Sequence, residues 1–168
     1  LDMSNTPAGK LVGVFLAACP NTQGNDRPFE IQSAPRRMRD AIIAATGRSR
    51  LIALHRMIEQ LRCFLLADPD WTRRHLLAAL KADDSEAIPL WSAISRQTHF
   101  EDVLKIIGIA MTKRAIDRRL SREIRQSLVF SLVIECLHAF HEQREPAVPH
   151  VSVQQMIRAL DEEVRAYG

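Results

Sequence analysis

Glu135, His138, His141 and Glu142 are the residues of this chain whose types and spacing come nearest to metal chemistry. Glu135-x-x-His138 puts a carboxylate and an imidazole on one helix face, as in helical bundles that hold a carboxylate-bridged di-iron centre. Such a centre needs a second Glu-x-x-His and two further glutamates on facing helices. Glu59 and Glu101 are available, but the sequence contains no second Glu-x-x-His. The four residues are therefore expected to form a polar stripe near the exposed end of a helix. No metal and no cofactor is assigned.

Nucleophilic chemistry has equally little to build on. Cys136 sits among apolar neighbours, which raise a thiol's pKa, whereas a reactive thiolate needs a cationic or helix-N-terminal setting. The chain has no G-x-S-x-G, no glycine-rich phosphate loop and no H-E-x-x-H. Its six histidines are scattered, and His55 and His75 are expected at helix surfaces or boundaries. Cys19, Cys63 and Cys136 are an odd set without a C-x-x-C pair. They fit reduced, mostly buried thiols in a cytoplasmic protein and not a disulfide framework or a zinc knuckle. No catalytic residue is assigned, and the expected class is not an enzyme.

Binding chemistry is better represented. Lys113, Arg114, Arg118, Arg119, Arg122 and Arg125 face only Asp117 and Glu123 within their segment, a local charge of +4 beside +3 for the whole chain. Arg36, Arg37 and Arg39 make a second cluster. Arginine forks suit phosphate and carboxylate alike, so the 113–125 segment is the candidate partner-binding face. Helical spacing also lets Asp117 pair with Lys113 and Arg114, and Glu123 with Arg119. Aromatics that could stack unpaired bases are nearly absent, with only six Phe, two Trp and one Tyr. Trp71 and Trp91 are expected to anchor the core.

The elements that must position these residues all read as helices. Thr6 precedes Pro7, a cap and a first-turn proline, and opens a helix through Leu11, Val14, Phe15 and Ala18 that ends at Pro20. Residues 20–34 read as a long exposed loop. Pro35 to Thr46 follows as a short helix with Met38, Ile42 and Ile43 inside, stopped by Gly47. Leu51, Leu54, Ile58, Leu61 and Leu65 predict one amphipathic helix from about Ser49 to Leu66. Asp68 caps the next, with Trp71, Leu76, Leu77 and Leu80 buried. Asp84 or Ser85 opens another through Ile88, Leu90, Trp91 and Ile94.

Thr98 and Glu101 form a capping box for the helix of Phe100, Val103, Leu104, Ile107 and Met111. Ser121 starts the longest helix, to about Gln143. Its polar stripe of Ser127, Ser131, Glu135 and Glu142 is so narrow that the rest should be covered on several sides. Ser152 and Gln155 make a second capping box, for a last helix carrying Val153, Met156, Ile157, Leu160 and Val164.

The expected fold is all-α: about eight helices in antiparallel hairpins, arranged as a short HEAT-like α-solenoid or a compact bundle. Composition agrees, with 46% hydrophobic and 26% charged residues and only six glycines, and excludes disordered and collagen-like classes. At 168 residues and 19.0 kDa one helical domain over 1–168 is expected. The most apolar run, Leu128 to Leu137, is about half the roughly 20 residues a membrane span needs. Leu11 to Cys19 is a poor signal peptide. The chain begins with Leu1 and not Met, so it is expected to be part of a larger protein.

Several segments resemble a known family. Asn5-Thr6-Pro7-Ala8-Gly9-Lys10, Asp68-Pro69-Asp70-Trp71 and Glu86-Ala87-Ile88-Pro89-Leu90-Trp91 are similar to parts of a helical region near the C-terminus of large bacterial anti-phage defence proteins. So are Asp117-Arg118-Arg119-Leu120-Ser121-Arg122-Glu123-Ile124-Arg125 and Gln154-Gln155-Met156-Ile157-Arg158. Those proteins carry a sirtuin-like, NAD-hydrolysing domain at their other end. The resemblance implies a helical scaffold or sensor region that binds a protein partner or other domains of its own polypeptide. The catalytic residues of the sirtuin fold would then lie outside this chain. The other class of function open to it is nucleic-acid binding by the basic face around 113–125.

Overall fold

Side-chain caps set several helix starts, and a computed structural model shows them at work over residues 5–19, 28–82, 85–97 and 101–165. Thr6 Oγ1 accepts the Gly9 N–H at 3.0 Å and starts α1, Pro7–Ala18. Ser33 accepts from Arg36 N at 3.2 Å before α2, Ala34–Ile43. Asp68 accepts from Trp71 N at 3.1 Å before α5, Pro69–Thr72. Ser121 accepts from Ile124 N at 3.4 Å before α9, Arg122–His141. Each bond satisfies an N–H that has no partner within its own helix.

The other elements are α3 (Gly47–Ile58), α4 (Leu61–Ala67), α6 (Ala78–Lys81), α7 (Ala87–Ser95), α8 (Glu101–Ala115), α10 (His150–Ala159) and α11 (Glu162–Arg165). All regular structure among the described residues is helical, as the sequence predicts. No described helix is long and apolar enough to cross a membrane. The chain divides into two compact units, Leu1–Ala93 and Ile94–Gly168.

In the first unit α1, α2 and α3 pack on one another and the core is aromatic. Phe64 stacks on Phe29 with ring centres 5.8 Å apart and meets Trp71 at the same distance. Phe29 is buried although it lies within the predicted exposed loop. Residues 20–27 of that loop are outside the described set. The helix expected over 49–66 breaks at Glu59 and Gln60 into α3 and α4. Gly47 does not end the preceding helix but begins α3, in a left-handed backbone with φ +56° that favours glycine. Between α5 and α6 the segment Arg73–Leu77 widens into a π-helical turn, which side-chain periodicity does not foretell.

In the second unit α8 and α9 form a hairpin across the short link 116–121, and α10 and α11 pack on it. Val103, Leu104, Ile107 and Met111 are buried as predicted. The Thr98 half of its capping box and Phe100 lie outside the described residues. The second capping box does not form. Pro149 precedes the first turn of α10, Ser152 lies within the helix, and its N–H goes to Pro149 O at 2.9 Å.

Val148, buried between α9 and α10 in sequence, presses on α8 where the helix has Gly108. A Cβ on Gly108 would stand 2.1 Å from Val148 Cγ2. Gly108→Ala should therefore force Val148 out of its seat and lower unfolding stability by about 1–3 kcal/mol. Urea denaturation of the two proteins measures this; equal midpoints would show that the close approach is not required.

Candidate functional site

α9 is an inverted helix: a carboxylate is buried on one face while aromatic rings stand in solvent on the other. Phe130, Leu137 and Phe140 are 59%, 57% and 84% exposed. Spaced seven and ten positions from Phe130, they share one face, with Val133 and Ile134 half-buried between them. The sequence leads one to expect this helix to be covered on several sides. The inner side is, through Leu128, Val129, Leu132 and Ala139, and the outer stripe is not.

Glu135, on the opposite face, was expected in an exposed polar stripe but is only 5% exposed. Arg144 grips it with both nitrogens of its fork, Nη1 to Oε1 at 2.7 Å and Nη2 to Oε2 at 3.1 Å. Ala147 N–H donates to Oε1 at 2.9 Å. The hydrogen bonds from Arg144 hold this carboxyl below the usual glutamate range, outweighing burial, and the Ala147 N–H adds to them.

The backbone delivers Arg144 to that position. Gln143 takes a left-handed conformation with φ 53°. The N–H of Gln143 then reaches Phe140 O at 3.2 Å, and that of Arg144 reaches Ala139 O at 2.9 Å. This is a Schellman turn in which glutamine occupies the usual glycine position. Glu135 is thus engaged away from His138 and His141, both exposed. Among the described residues no three of His, Cys, Asp and Glu gather as a metal set.

The basic segment is not a free cationic face. Arg114 and Arg125 are buried. Arg114 pairs with Asp117 at 2.8 Å, and Arg125 reaches Asp161, distant in sequence, at 2.9 Å. Arg119 chelates Asp117 at 2.9 Å instead of bonding Glu123, because the chain leaves the helix at 116–121. The hydrogen bond from Arg119 drives the Asp117 carboxyl far below its ordinary range. Arg118 is 83% exposed, at 3.8 Å from Asp161. Lys113 and Arg122 are exposed. Of the six predicted binding residues, two are interior ties and four can meet a partner.

The first unit holds two polar clusters that the sequence hides. Arg39, 1% exposed where Met38 was expected to be inside, lies between the rings of Phe29 and Trp71 at 4.3 and 4.1 Å. It bonds Asp68 at 2.8 Å and Asp40 at 3.2 Å, beside an open cleft of about 510 Å³. The cleft's three arginines, Arg36, Arg39 and Arg74, face Asp40, Asp68 and Asp70, so it presents no net charge to an ion. His55, expected near the surface, is 1% exposed. Its Nε2 is 3.0 Å from Ser92 Oγ and its Nδ1 3.5 Å from Glu59.

Serine, histidine and carboxylate in line is the order of a nucleophile relay. Here the Ser92 hydroxyl donates to Pro89 O at 2.6 Å, so its proton points away from the imidazole, and the imidazole itself is sealed in the core. The line serves as an internal tie between α3 and α7. Cys19 and Cys136 are half-buried and Cys63 exposed, against the expectation of mostly buried thiols. Burial pushes the Cys136 thiol up, and Glu135 adds to it.

Comparison with known proteins adds no relative. No family model, no curated protein and no solved structure matches the chain.

Glu135 gives the site its pH dependence. A carboxyl whose folded pKa is depressed stabilises fully above its unfolded pKa, near 4.5, and loses that contribution as pH falls through the folded value. Glu135→Gln should cost about 2 kcal/mol at neutral pH, and the gap to the parent should close as pH drops below the ordinary glutamate range. Denaturation midpoints across pH check this; a gap that stays constant into acid would deny the ion pair its role.

Proposed function

We propose that the chain is a non-catalytic helical scaffold that binds protein through the outer face of α9. The observation that carries this is the stripe of Phe130, Leu137 and Phe140, left in solvent on a helix whose other faces are packed. Exposed apolar side chains aligned on one face mark contact surfaces, and aromatic residues dominate such contacts. Arg118, Arg119 and Arg122 lie beyond the N-terminal end of the stripe and supply a polar rim. The fitting partner surface has an apolar ridge with acidic residues at the matching end.

The resemblance to helical regions of defence proteins supports the same kind of role, a scaffold whose enzymatic domain lies elsewhere in the polypeptide. Nucleic-acid binding draws less support, because Asp117 and Asp161 already engage Arg114, Arg118, Arg119 and Arg125.

A photo-crosslinking residue at position 140 should give protein adducts in the source cells, and one at Arg37, exposed in the first unit, should give none. Adducts that are equal at both positions, or absent at 140, would contradict the assignment.

A further inference from the structure

Taking α9 as the binding face, we infer that its occupant is a second copy of the same chain, docked antiparallel. The stripe has a form suited to that. Reversed end for end about a point level with Glu135, it maps onto itself: Phe130 falls on the partner's Phe140, and Val133 on the partner's Leu137. An interface built on a two-fold axis requires such a self-complementary surface, in which residue i meets j and j meets i.

Charge sets the direction. At the N-terminal end of α9, Lys113, Arg114, Arg118, Arg119, Arg122 and Arg125 outnumber Asp117, Glu123 and Asp161. Past the C-terminal end, Glu142 and Glu145 are exposed, with Arg144 committed chiefly to Glu135 and also bonded to Glu142 at 2.6 Å. Antiparallel pairing brings the basic end of one copy beside the acidic end of the other. Parallel pairing would set like charge on like, which is costly at a contact.

The size of the face sets the strength. Two phenylalanines of about 200 Å² each, exposed by 59% and 84%, offer about 290 Å². Leu137 and the flanking residues raise this toward the lower bound for specific contacts, about 600 Å² per partner. The pair should be reversible, with a dissociation constant of micromolar order. α9 spans about 30 Å, long enough for both ends to engage at once.

Sedimentation velocity on the 168-residue chain, from about 1 to about 200 μM, brackets that range. The expected result is a monomer passing to a dimer as concentration rises. Phe140→Asp, at a site already in solvent, should weaken the dimer at least about tenfold with helicity unchanged. Arg122→Glu and Glu145→Arg should each weaken it by about two- to fivefold, and the pair together should restore it.

A chain that stays monomeric throughout overturns the inference, as does a dimer indifferent to Phe140→Asp or a double charge reversal that fails to rescue. The crosslink at position 140 separates this failure from that of the binding face itself. An adduct of twice the chain's mass supports the self-pairing. An adduct with a different protein overturns it and leaves the binding face standing, and no adduct overturns both.

Discussion

Glu135 faces into the second unit and Phe130, Leu137 and Phe140 face out of it, the reverse of what water ordinarily selects. The inward carboxylate is stable only because Arg144 returns to meet it, in a fork that matches both oxygens. Without that return, α9 would hold a desolvated charge with no counter-ion, which is among the costliest things a core can contain. The same turn carries Val148 onto Gly108, so the ion pair and the helix packing are fixed together. With Glu135 held inward, the rotation of α9 about its axis is set. The apolar stripe has only one place to be, and that is solvent. The surface assigned to binding is therefore a consequence of how the interior is tied.

Charge is handled in the same way in the first unit. Arg39 is interior, stacked between two rings and bonded to two aspartates. Burial works to raise the pKa of Asp68, but the Arg39 bond and the Trp71 N–H hold it below the ordinary range. Arg114 and Arg125 find Asp117 and Asp161. A mildly basic sequence thus folds into units in which three arginines, Arg39, Arg114 and Arg125, brace the interior. What remains outside is mixed in sign, apart from the ends of α9. In the proposed contact, apolar area would supply affinity and the rim charges would choose orientation.

Legibility in the sequence tracked the range of the physics involved. Caps are local, so Thr6, Asp68 and Ser121 announced their helices correctly. Core positions at three- and four-residue spacing were legible in part: Leu54, Ile58 and Leu61 are buried, as are Trp71 and Trp91, but Met38 is exposed and Ile42, Ile43, Leu51 and Leu65 are half-buried. Ion pairs between distant segments were not legible. Arg125 and Asp161 are separated by 36 positions, and local spacing instead suggested pairs such as Arg119 with Glu123. Arg39 was hidden because Met38, Ile42 and Ile43 on the same helix look like better core residues. The α9 face misled for a related reason: an apolar pattern on all sides says that cover is wanted, but not which stripe the fold leaves in solvent. His55 with Ser92 and Arg144 with Glu135 depend on two chain reversals that no periodicity encodes.

The most direct test of the account is hydroxyl-radical footprinting of the chain at rising concentration, read at individual phenylalanines. Phe130 and Phe140 should be oxidised readily in dilute solution and become protected together as concentration rises, while buried Phe15 and Phe64 stay protected throughout. If Phe130 and Phe140 are already protected at the lowest concentration, the stripe is covered within the chain itself. If they stay reactive at every concentration, no second copy covers it. Either result would contradict the account.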